Sequence, residues 1–296
     1  MEFLTEFPEM GRQDLRDFKK FVDASFKEFS RTYGDALENF FEPLLWFLVW
    51  LEKLLINAWW PVVILVLAGL AWLGSRSWKL VVGTILSCLV IGYFGMWGDS
   101  MATLAIISVA TLLCISIGIP LGIGMAKSNR AQTAITPVLD VMQTIPSFVY
   151  LIPVVMLLGI GKVPGLIAVC IYAIPPIVRL TNLGIRLVDK EVLEAADAFG
   201  ADYRQRLFGV QIPLALPNIF AGVNQTIMMS LAMVVIASMI GVKGLGLPVL
   251  RAISNQYLAL GLLNGLAIVT LAIIFDRVSQ EYGRRLQAHR EGIDHG

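Results

Sequence analysis

The clearest chemical pattern in this chain lies in the charged segment 181–213, which separates two apolar stretches. Glu194 and Asp197 are three residues apart, so a helix would place their carboxylates on one face, where they can accept hydrogen bonds. Ala195 and Ala196 between them are small enough for another protein to approach this surface closely. The pattern predicts a docking element rather than a catalytic one, and the alternative is an ordinary solvated linker.

Local signals predict the shape of this segment. Residues 191–199 are rich in good helix formers, and Gly200 follows where a helix end accepts a left-handed residue. Asp202 and Gln205 have the spacing of a capping box, which predicts the start of a second short helix. We therefore expect two short helices that meet at an angle and project from the rest of the chain.

Two prolines close the segment. Pro213 and Pro217 lack the backbone N–H group that a helix interior uses, so we expect them to bar uninterrupted continuation of the second short helix. They would then set up the entry into the apolar stretch that follows. In this interpretation the charged segment is a structural unit distinct from that stretch.

No residue set typical of catalysis or metal binding accompanies the segment. The phosphate-binding sequence Gly-x-x-x-x-Gly-Lys-Ser/Thr does not occur, so the chain is not expected to hydrolyse ATP itself. No glutamate or histidine lies in the predicted membrane helices to activate a serine. The cysteines lie in apolar stretches at unrelated spacing, and the histidines lie in the polar tail without a partner at metal-ligand spacing: Cys88, Cys114, Cys170, His289 and His295. We expect no catalytic residue, no metal site and no cofactor in this chain.

Composition predicts the class of protein. Hydrophobic residues make up 57% of the 296 residues and charged residues 15%, far from the usage of soluble domains. Several apolar runs reach the roughly 20 residues that a helix needs to cross a bilayer. The predicted fold class is therefore an all-α integral membrane protein with the lipid bilayer as its surroundings. The net charge of +1 gives no reason to expect nucleic acid as a partner.

About seven membrane helices are predicted from windows of apolar residues. They lie at 59–74, 78–97, 101–126, 135–159, 163–180, 214–240 and 257–276. If the N-terminus is outside, most Lys and Arg residues fall on the cytoplasmic side, and the short external loops hold only Lys162, Lys243 and Arg251. The positive-inside rule therefore predicts an external N-terminus, a cytoplasmic C-terminus and a cytoplasmic charged segment.

The N-terminal part of the chain precedes these helices. Residues 1–40 are predicted to form a polar, amphipathic external segment, because apolar side chains recur there at helical spacing. Residues 41–58 are predicted to form an amphipathic helix that lies along the outer membrane surface. The alternative is an eighth, short span, which would put the N-terminus inside. Two peripheral membrane helices, a core and a cytoplasmic tail then follow, at 59–98, 99–277 and 278–296.

Polar, aromatic and methionine side chains in the fourth and sixth predicted spans are candidates to line a solute pathway: Gln143, Thr144, Phe148, Tyr150, Asn224, Gln225, Met228 and Met229. Such side chains suit a compact cation or zwitterion, because aromatic faces and polarisable groups attract a cation without a formal counter-charge. Each also has a plainer interpretation as a packed or lipid-facing side chain, and the two amides could join helices. Prolines predicted to interrupt helices at depth favour a moving gate: Pro146, Pro153, Pro175 and Pro176.

Asp140 and Arg179 are charged residues within the predicted spans. Both lie within a turn or two of the predicted cytoplasmic ends, and Asp140 follows Pro137 near a helix start, where the helix dipole favours an anion. A structural role is the simpler interpretation, and a cytoplasmic gate or a partner contact is the alternative. Because the spans hold so few ionisable groups, ion-coupled transport by this chain alone is not expected.

One motif and four further stretches give the chain a family resemblance. Five loop residues and three residues after them have the order and spacing of an "EAA loop": Glu194, Ala195, Ala196, Asp197, Gly200, Ile212, Pro213 and Pro217. In this the chain resembles the permease subunits of ABC importers. From about Met101 to Arg277 it is similar to the type I importer permease core, and more narrowly to the glycine betaine/proline branch. The narrower similarity rests on 142–150, 174–180, 222–226 and 234–240.

The resemblance implies a function and partners. In that family the loop docks the permease onto a cytoplasmic ABC ATPase, which holds ATP and Mg²⁺, and an external (periplasmic) substrate-binding protein delivers the solute. It implies a permease of the bacterial cytoplasmic (inner) membrane, paired with a second copy of itself, for glycine betaine, proline betaine, choline, carnitine or trimethylamine oxide. Because the chain ends at Gly296 without a binding-protein domain, a separate receptor is expected. An ATP-independent secondary transporter or channel and a membrane scaffold without transport remain open as alternatives.

Overall fold

The structure, a computed structural model, describes residues 9–291, with side chains described over 9–281. Within that range the chain is helical and contains no strand, which confirms the predicted all-α class. The α-helices are α1 (Arg12–Asn57), α2 (Trp60–Ser75), α3 (Trp78–Tyr93), α4 (Trp97–Lys127), α5 (Asn129–Thr144), α6 (Leu151–Leu158), α7 (Lys162–Arg186), α8 (Lys190–Ala198), α9 (Tyr203–Gln205), α10 (Ile212–Ala237), α11 (Gly246–Asn255) and α12 (Leu258–Glu291). Two 3₁₀ turns and one π-helical turn join some of them: Ser147–Tyr150, Ser238–Ile240 and Arg206–Gln211.

The central helix is α7, and α4 and α10 pack against it more extensively than any other helices. Small residues on α4 allow close contact: a Cβ at Gly118 would lie 2.4 Å from Ile177 Cγ2, and one at Gly122 would lie 2.7 Å from the Val178 carbonyl oxygen. Between apolar helices in lipid, such close packing supplies much of the attraction. The three helices form the centre from which the charged segment and the α5–α6 pair project.

Helix length and apolarity bear on the predicted number of spans. Within the described residues, four helices are long and apolar enough to cross a membrane singly: α4, α7, the joined helix Tyr203–Ile240 and α12. The bent pairs α1 with α2 and α5 with α6 raise that number to six. Helix α3 has 16 residues, or about 24 Å at the usual rise, which is shorter than the ~30 Å apolar thickness of a bilayer. The number of seven spans therefore stays a prediction.

The fourth predicted span, 135–159, is not one continuous helix. After α5 ends at Thr144, the segment Ser147–Leu158 leaves it at an angle of 108°. The cause is Pro146, because a proline disfavours the helical conformation of the residue before it, and Ile145 is extended with φ −65° and ψ 131°. The other prolines expected to interrupt helices lie inside α6 or α7 without ending either: Pro153, Pro175 and Pro176.

A single helix of 46 residues, α1, runs through the boundary predicted between 1–40 and 41–58. The two residues near this boundary that disfavour a helix interior, Gly34 and Pro43, both lie inside α1 without ending it. Its axis turns by 111° into α2. The surface-lying position of 41–58 therefore stays a prediction. Leu48, 2% exposed, anchors the second half of α1 in the core.

The last helix also extends beyond its predicted end. The final span was expected at 257–276 and a tail at 278–296, whereas the backbone of α12 remains helical to Glu291. The boundary predicted near 277 is therefore not a helix end. Residues 1–8 and 292–296 lie outside the described residues, and with them the outer parts of both terminal predictions.

Candidate functional site

The charged segment 181–213 contains one well-defined short helix, α8. Asp189 caps its start, since the carboxylate accepts the backbone N–H of Glu191 at 2.9 Å. Its end is closed in a Schellman arrangement by the N–H groups of Gly200 (3.0 Å) and Ala201 (3.1 Å), which donate to carbonyl oxygens of the last turn. Gly200 has φ +78°, which confirms the predicted left-handed residue.

The capping box predicted from Asp202 and Gln205 is present. The Asp202 carboxylate accepts the Gln205 N–H at 2.6 Å, and the Gln205 side-chain oxygen accepts the Asp202 N–H at 2.8 Å. The prediction of a second helix stopped by prolines is wrong, because α9 continues through the π-helical turn Arg206–Gln211 into α10. Pro213 lies in the first turn of α10, where its missing N–H is tolerated, and Pro217 lies inside the helix.

An ion pair joins the two arms of the segment. Arg206 Nη1 lies 2.9 Å from one carboxylate oxygen of Asp197 and 3.2 Å from the other. The pair therefore links the last turn of α8 to the π-helical turn before α10. Asp197 was predicted to offer an acceptor to a partner, and the structure shows its carboxylate engaged within the chain. We use the name elbow for residues 187–211, which these contacts hold together.

Arg186 fastens the base of the elbow to the core. Its Nε donates to Asn182 Oδ1 at 3.0 Å, its Nη1 to Asn129 Oδ1 at 2.8 Å, and its Nη2 to the Met125 carbonyl oxygen at 2.9 Å. The ends of α4 and α7 and the start of α5 therefore meet at one guanidinium group. Hydrogen bonds from a charged donor are stronger than neutral ones, so this is a firm attachment.

Large apolar side chains on the elbow were not among the predicted docking residues. Phe199 is 94% exposed, Leu187 65% and Phe208 64%. The Tyr203 ring is also exposed, and Lys127 Nζ lies 4.6 Å from its centroid. Exposed apolar side chains grouped on one element are typical of a surface that binds a partner. The signal in the sequence was the presence of such residues inside a charged segment.

The remaining predicted docking residues divide into two groups. Glu194 and Ala195 are exposed on α8, and Ala196 is half-buried. The residues after the elbow are half-buried in the first turns of α10: Ile212, Pro213 and Pro217. The first group is therefore available to a partner, whereas the second group attaches the elbow to the core.

The corner between α5 and α6 carries the first group of predicted pathway residues. Gln143, Thr144 and Phe148 are exposed there, and the 3₁₀ turn that holds Phe148 packs against α10. Tyr150, by contrast, is buried, and its hydroxyl donates to the carbonyl oxygen of Met142 across the corner. Tyr150 therefore braces the corner, while the other three present side chains on its open surface.

The predicted pathway residues of α10 face in different directions. Asn224 contacts α12: its Nδ2 donates to Asp276 Oδ1 at 2.8 Å, and its Oδ1 accepts from Ser279 Oγ at 3.0 Å. These bonds join two helices, which is the alternative role considered for this amide. The other three differ in exposure, with Gln225 and Met228 exposed and Met229 half-buried.

The charged pair Asp140 and Arg179 connects α5 to α7 through a contact of Arg179 Nη2 with Asp140 Oδ1. Their side chains are 55% and 36% exposed, so the pair lies on an open face of the chain. The buried Nε of Arg179 has no hydrogen-bond partner among the described residues. Within residues 9–281, no three His, Cys, Asp or Glu side chains form a group that could hold a metal ion.

Comparisons with known proteins place these features in a family. Residues 118–287 match the family described as "Binding-protein-dependent transport system inner membrane component". The glycine betaine/proline betaine transport system permease protein ProW of Escherichia coli (strain K12) is 52% identical over 233 residues, which are 79% of this chain but only 66% of ProW. The glycine betaine transport system permease protein OpuAB of Bacillus subtilis (strain 168) is 37% identical over 279 residues, 94% of this chain and 96% of OpuAB.

A solved structure shares the fold. A chain of the MetNI methionine ABC transporter, in an inward-facing conformation, superposes with a TM-score of 0.57 over 62% of this chain and 93% of that chain. The two sequences are 18% identical over this match, so the likeness concerns the fold alone.

Proposed function

Since this chain belongs to the family of binding-protein-dependent transport system inner membrane components, we propose that it is the permease subunit of an ATP-driven importer. The solutes we propose are glycine betaine, proline betaine and related quaternary ammonium compounds, because the names of the similar proteins ProW and OpuAB give such solutes. The chain forms the translocation pathway, and a separate cytoplasmic ATPase binds ATP and Mg²⁺.

The observation that carries this proposal is the elbow. Phe199 is almost fully exposed at its turn, and the Asp197–Arg206 pair holds the two arms that flank that turn. A rigid projection with an apolar tip suits insertion into a cleft of a partner protein, because burial of the ring is favourable and little order is lost on binding. Glu194 beside it offers a carboxylate to the same partner.

The connection of the elbow to the core supports transmission of movement. Arg186 ties the base of the elbow to the ends of α4 and α5, and α5 leads directly to the corner at Pro146. When a bound ATPase pair closes, it moves the elbow, and the helices attached at Arg186 follow. The pathway then changes from inward-facing to outward-facing.

Three further features complete the proposal. The chain lies in a bacterial cytoplasmic membrane with its N-terminus outside and its C-terminus in the cytoplasm, as the distribution of Lys and Arg suggests. A second copy of the chain contributes the other half of the pathway. An external substrate-binding protein delivers the solute to the face opposite the elbow.

The proposal is tested by co-purification and by uptake. Phe199→Ala should reduce the amount of cognate ATPase that purifies with the permease, and uptake of labelled glycine betaine into proteoliposomes should fall in proportion. Phe40→Ala is the matched control, because Phe40 is 73% exposed on α1, far from the elbow in sequence. Uptake by the purified permease alone, driven by an imposed ion gradient, would instead support the secondary transporter.

A further inference from the structure

The ion pair Asp140–Arg179 has the chemistry to hold a zwitterion. We propose that the pair opens during transport and binds the solute in transit, with Arg179 on the carboxylate and Asp140 beside the quaternary ammonium group. The inference deepens the proposed function and rests on it, since it concerns how the permease itself contacts a betaine.

The position of the pair is the first argument. Three residues spaced seven apart share one face of α7 and contact α5 or the corner after it: Tyr172, Arg179 and Arg186. The Tyr172 ring lies 6.4 Å from the Tyr150 ring at the corner, and Arg186 lies 2.8 Å from Asn129 at the start of α5. The pair Asp140–Arg179 lies between these two contacts. It is therefore between the exposed corner and the base of the elbow.

The unused bonding capacity of Arg179 is the second argument. Arg186, two turns away on the same face, uses Nε, Nη1 and Nη2 in hydrogen bonds. Arg179 contacts Asp140 through Nη2, and its buried Nε has no partner among the described residues. A guanidinium group binds a carboxylate best through two parallel N–H groups, whereas the contact with Asp140 uses Nη2.

Exposure is the third argument. The Asp140 side chain is 55% exposed and that of Arg179 is 36% exposed, so the rest of the chain encloses neither of them. Gln143 and Thr144 lie one helical turn further along α5 and are exposed as well. Their polar groups extend the same surface toward the corner.

Charge balance explains why two opposite charges occur together here. Two opposite charges near the cytoplasmic ends of the spans compensate each other while the site is empty. A betaine carries one negative and one positive group. When it enters, the pair Asp140–Arg179 is replaced by two pairings of opposite charge with the solute, so the site stays neutral. The site is therefore neutral both with and without a betaine, whereas a solute with a net charge would leave it charged.

Thiol modification is measured on the reconstituted complex of permease and ATPase without the receptor, so that the receptor's own solute preference does not enter the result. Gln143→Cys provides a thiol one turn from Asp140, whereas among the native cysteines Cys88 and Cys114 are buried and Cys170 is half-buried. The rate of its modification by a thiol reagent is measured with glycine betaine, with choline, or with sucrose at the same osmolality. Choline keeps the quaternary ammonium group but has a hydroxyl in place of the carboxylate.

Glycine betaine should slow the modification far more than choline or sucrose. Arg179→Gln should weaken this protection about tenfold, as expected for the loss of one charge-assisted hydrogen bond. Lys79→Gln, an exposed position on α3, is the matched control and should retain it. Equal protection by choline and glycine betaine in the Gln143→Cys protein, or protection that survives in Arg179→Gln, overturns the inference.

Two comparisons keep the result interpretable. If Arg179→Gln does not assemble, the preference for glycine betaine over choline in the protein with the intact pair still decides the matter. Uptake of glycine betaine by the complex without substitutions, measured with the receptor added, tests the proposed function separately. Uptake without protection of the Gln143→Cys thiol by glycine betaine would contradict the ion-pair inference alone. Absence of any uptake would contradict the proposed function.

Discussion

Asp197 and Arg206 join the two arms of the elbow, with Arg206 Nη1 at 2.9 and 3.2 Å from the two carboxylate oxygens. The side chains are 49% and 32% exposed, so the pair contributes at most about 1 kcal/mol to the stability of the protein. Its importance is geometric, because it sets the angle at which α8 meets the helix that becomes α10. The position of Phe199 at the turn depends on that angle.

Exchange of the two charges tests this role. Asp197→Asn and Arg206→Gln should each reduce ATPase co-purification and solute uptake several-fold, because the arms are no longer tied. The double exchange Asp197→Arg with Arg206→Asp should recover most of both, since the internal pair is restored in reverse. Co-purification and uptake of the four proteins give the comparison.

The opposite outcome has a clear meaning. If Asp197 serves chiefly as an acceptor for the ATPase, the double exchange places an arginine against that partner and recovers nothing. Thermal unfolding of the purified proteins should change little in all cases, because the pair is half exposed.

Gly200 should be sensitive to the backbone preference of its replacement. Its φ is +78°, and a Cβ there would meet nothing within 4 Å, so only the conformation resists substitution. Gly200→Ala should cost roughly 1–2 kcal/mol at the end of α8 and weaken ATPase binding. Gly200→Asn is the matched control and should be milder, since asparagine tolerates the left-handed region. Similar losses for both would show that the side chain, rather than the backbone, disturbs the elbow.

Two glycines on α4 should respond in opposite ways to alanine. A Cβ at Gly122 would lie 2.6 Å from the Thr181 Cβ, whereas one at Gly124 would have no neighbour within 4 Å. Gly122→Ala should therefore destabilise the α4–α7 contact by about 1–3 kcal/mol through overpacking. Gly124→Ala should be neutral or stabilising by up to ~1 kcal/mol, because alanine is the better helix former. Thermal unfolding in detergent or nanodiscs separates the two, and equal effects would contradict the close contact of α4 with α7.

Thiol labelling in sealed vesicles tests the orientation. A cysteine at Glu191 on α8 should react only with reagent on the cytoplasmic side, because the proposed contact of the elbow with the ATPase requires that side. A cysteine at Ile253 on α11, where the side chain is 71% exposed, should react only from outside. Reaction of both from one side, or reversed reactivity, would contradict the predicted topology.

Features with nearby partners could be predicted from the sequence. The left-handed Gly200 and the capping box of Asp202 and Gln205 depend on backbone and side-chain groups only a few residues apart. Their energetics are therefore settled locally, and both predictions are confirmed. The membrane class likewise follows from apolar content, which no tertiary contact alters.

Two prolines with similar local sequence signals have different effects on their helices. Pro146 ends a helix, as its effect on Ile145 predicts, whereas Pro213 does not prevent α9 from continuing into α10. The difference lies in the π-helical turn before Pro213, whose wider spacing accommodates the missing N–H. No residue pattern in the sequence predicts this π-helical turn.

The pairs that connect helices were decided by the tertiary structure alone. Asp140 meets Arg179 across 39 residues of sequence, and Asn224 meets Asp276 across 52. Apolar periodicity indicates that a segment is a helix, but not how far it is rotated about its axis or shifted along it relative to its neighbour. Those two quantities come from the packing of α5, α7, α10 and α12 against one another, and they determine which polar groups meet.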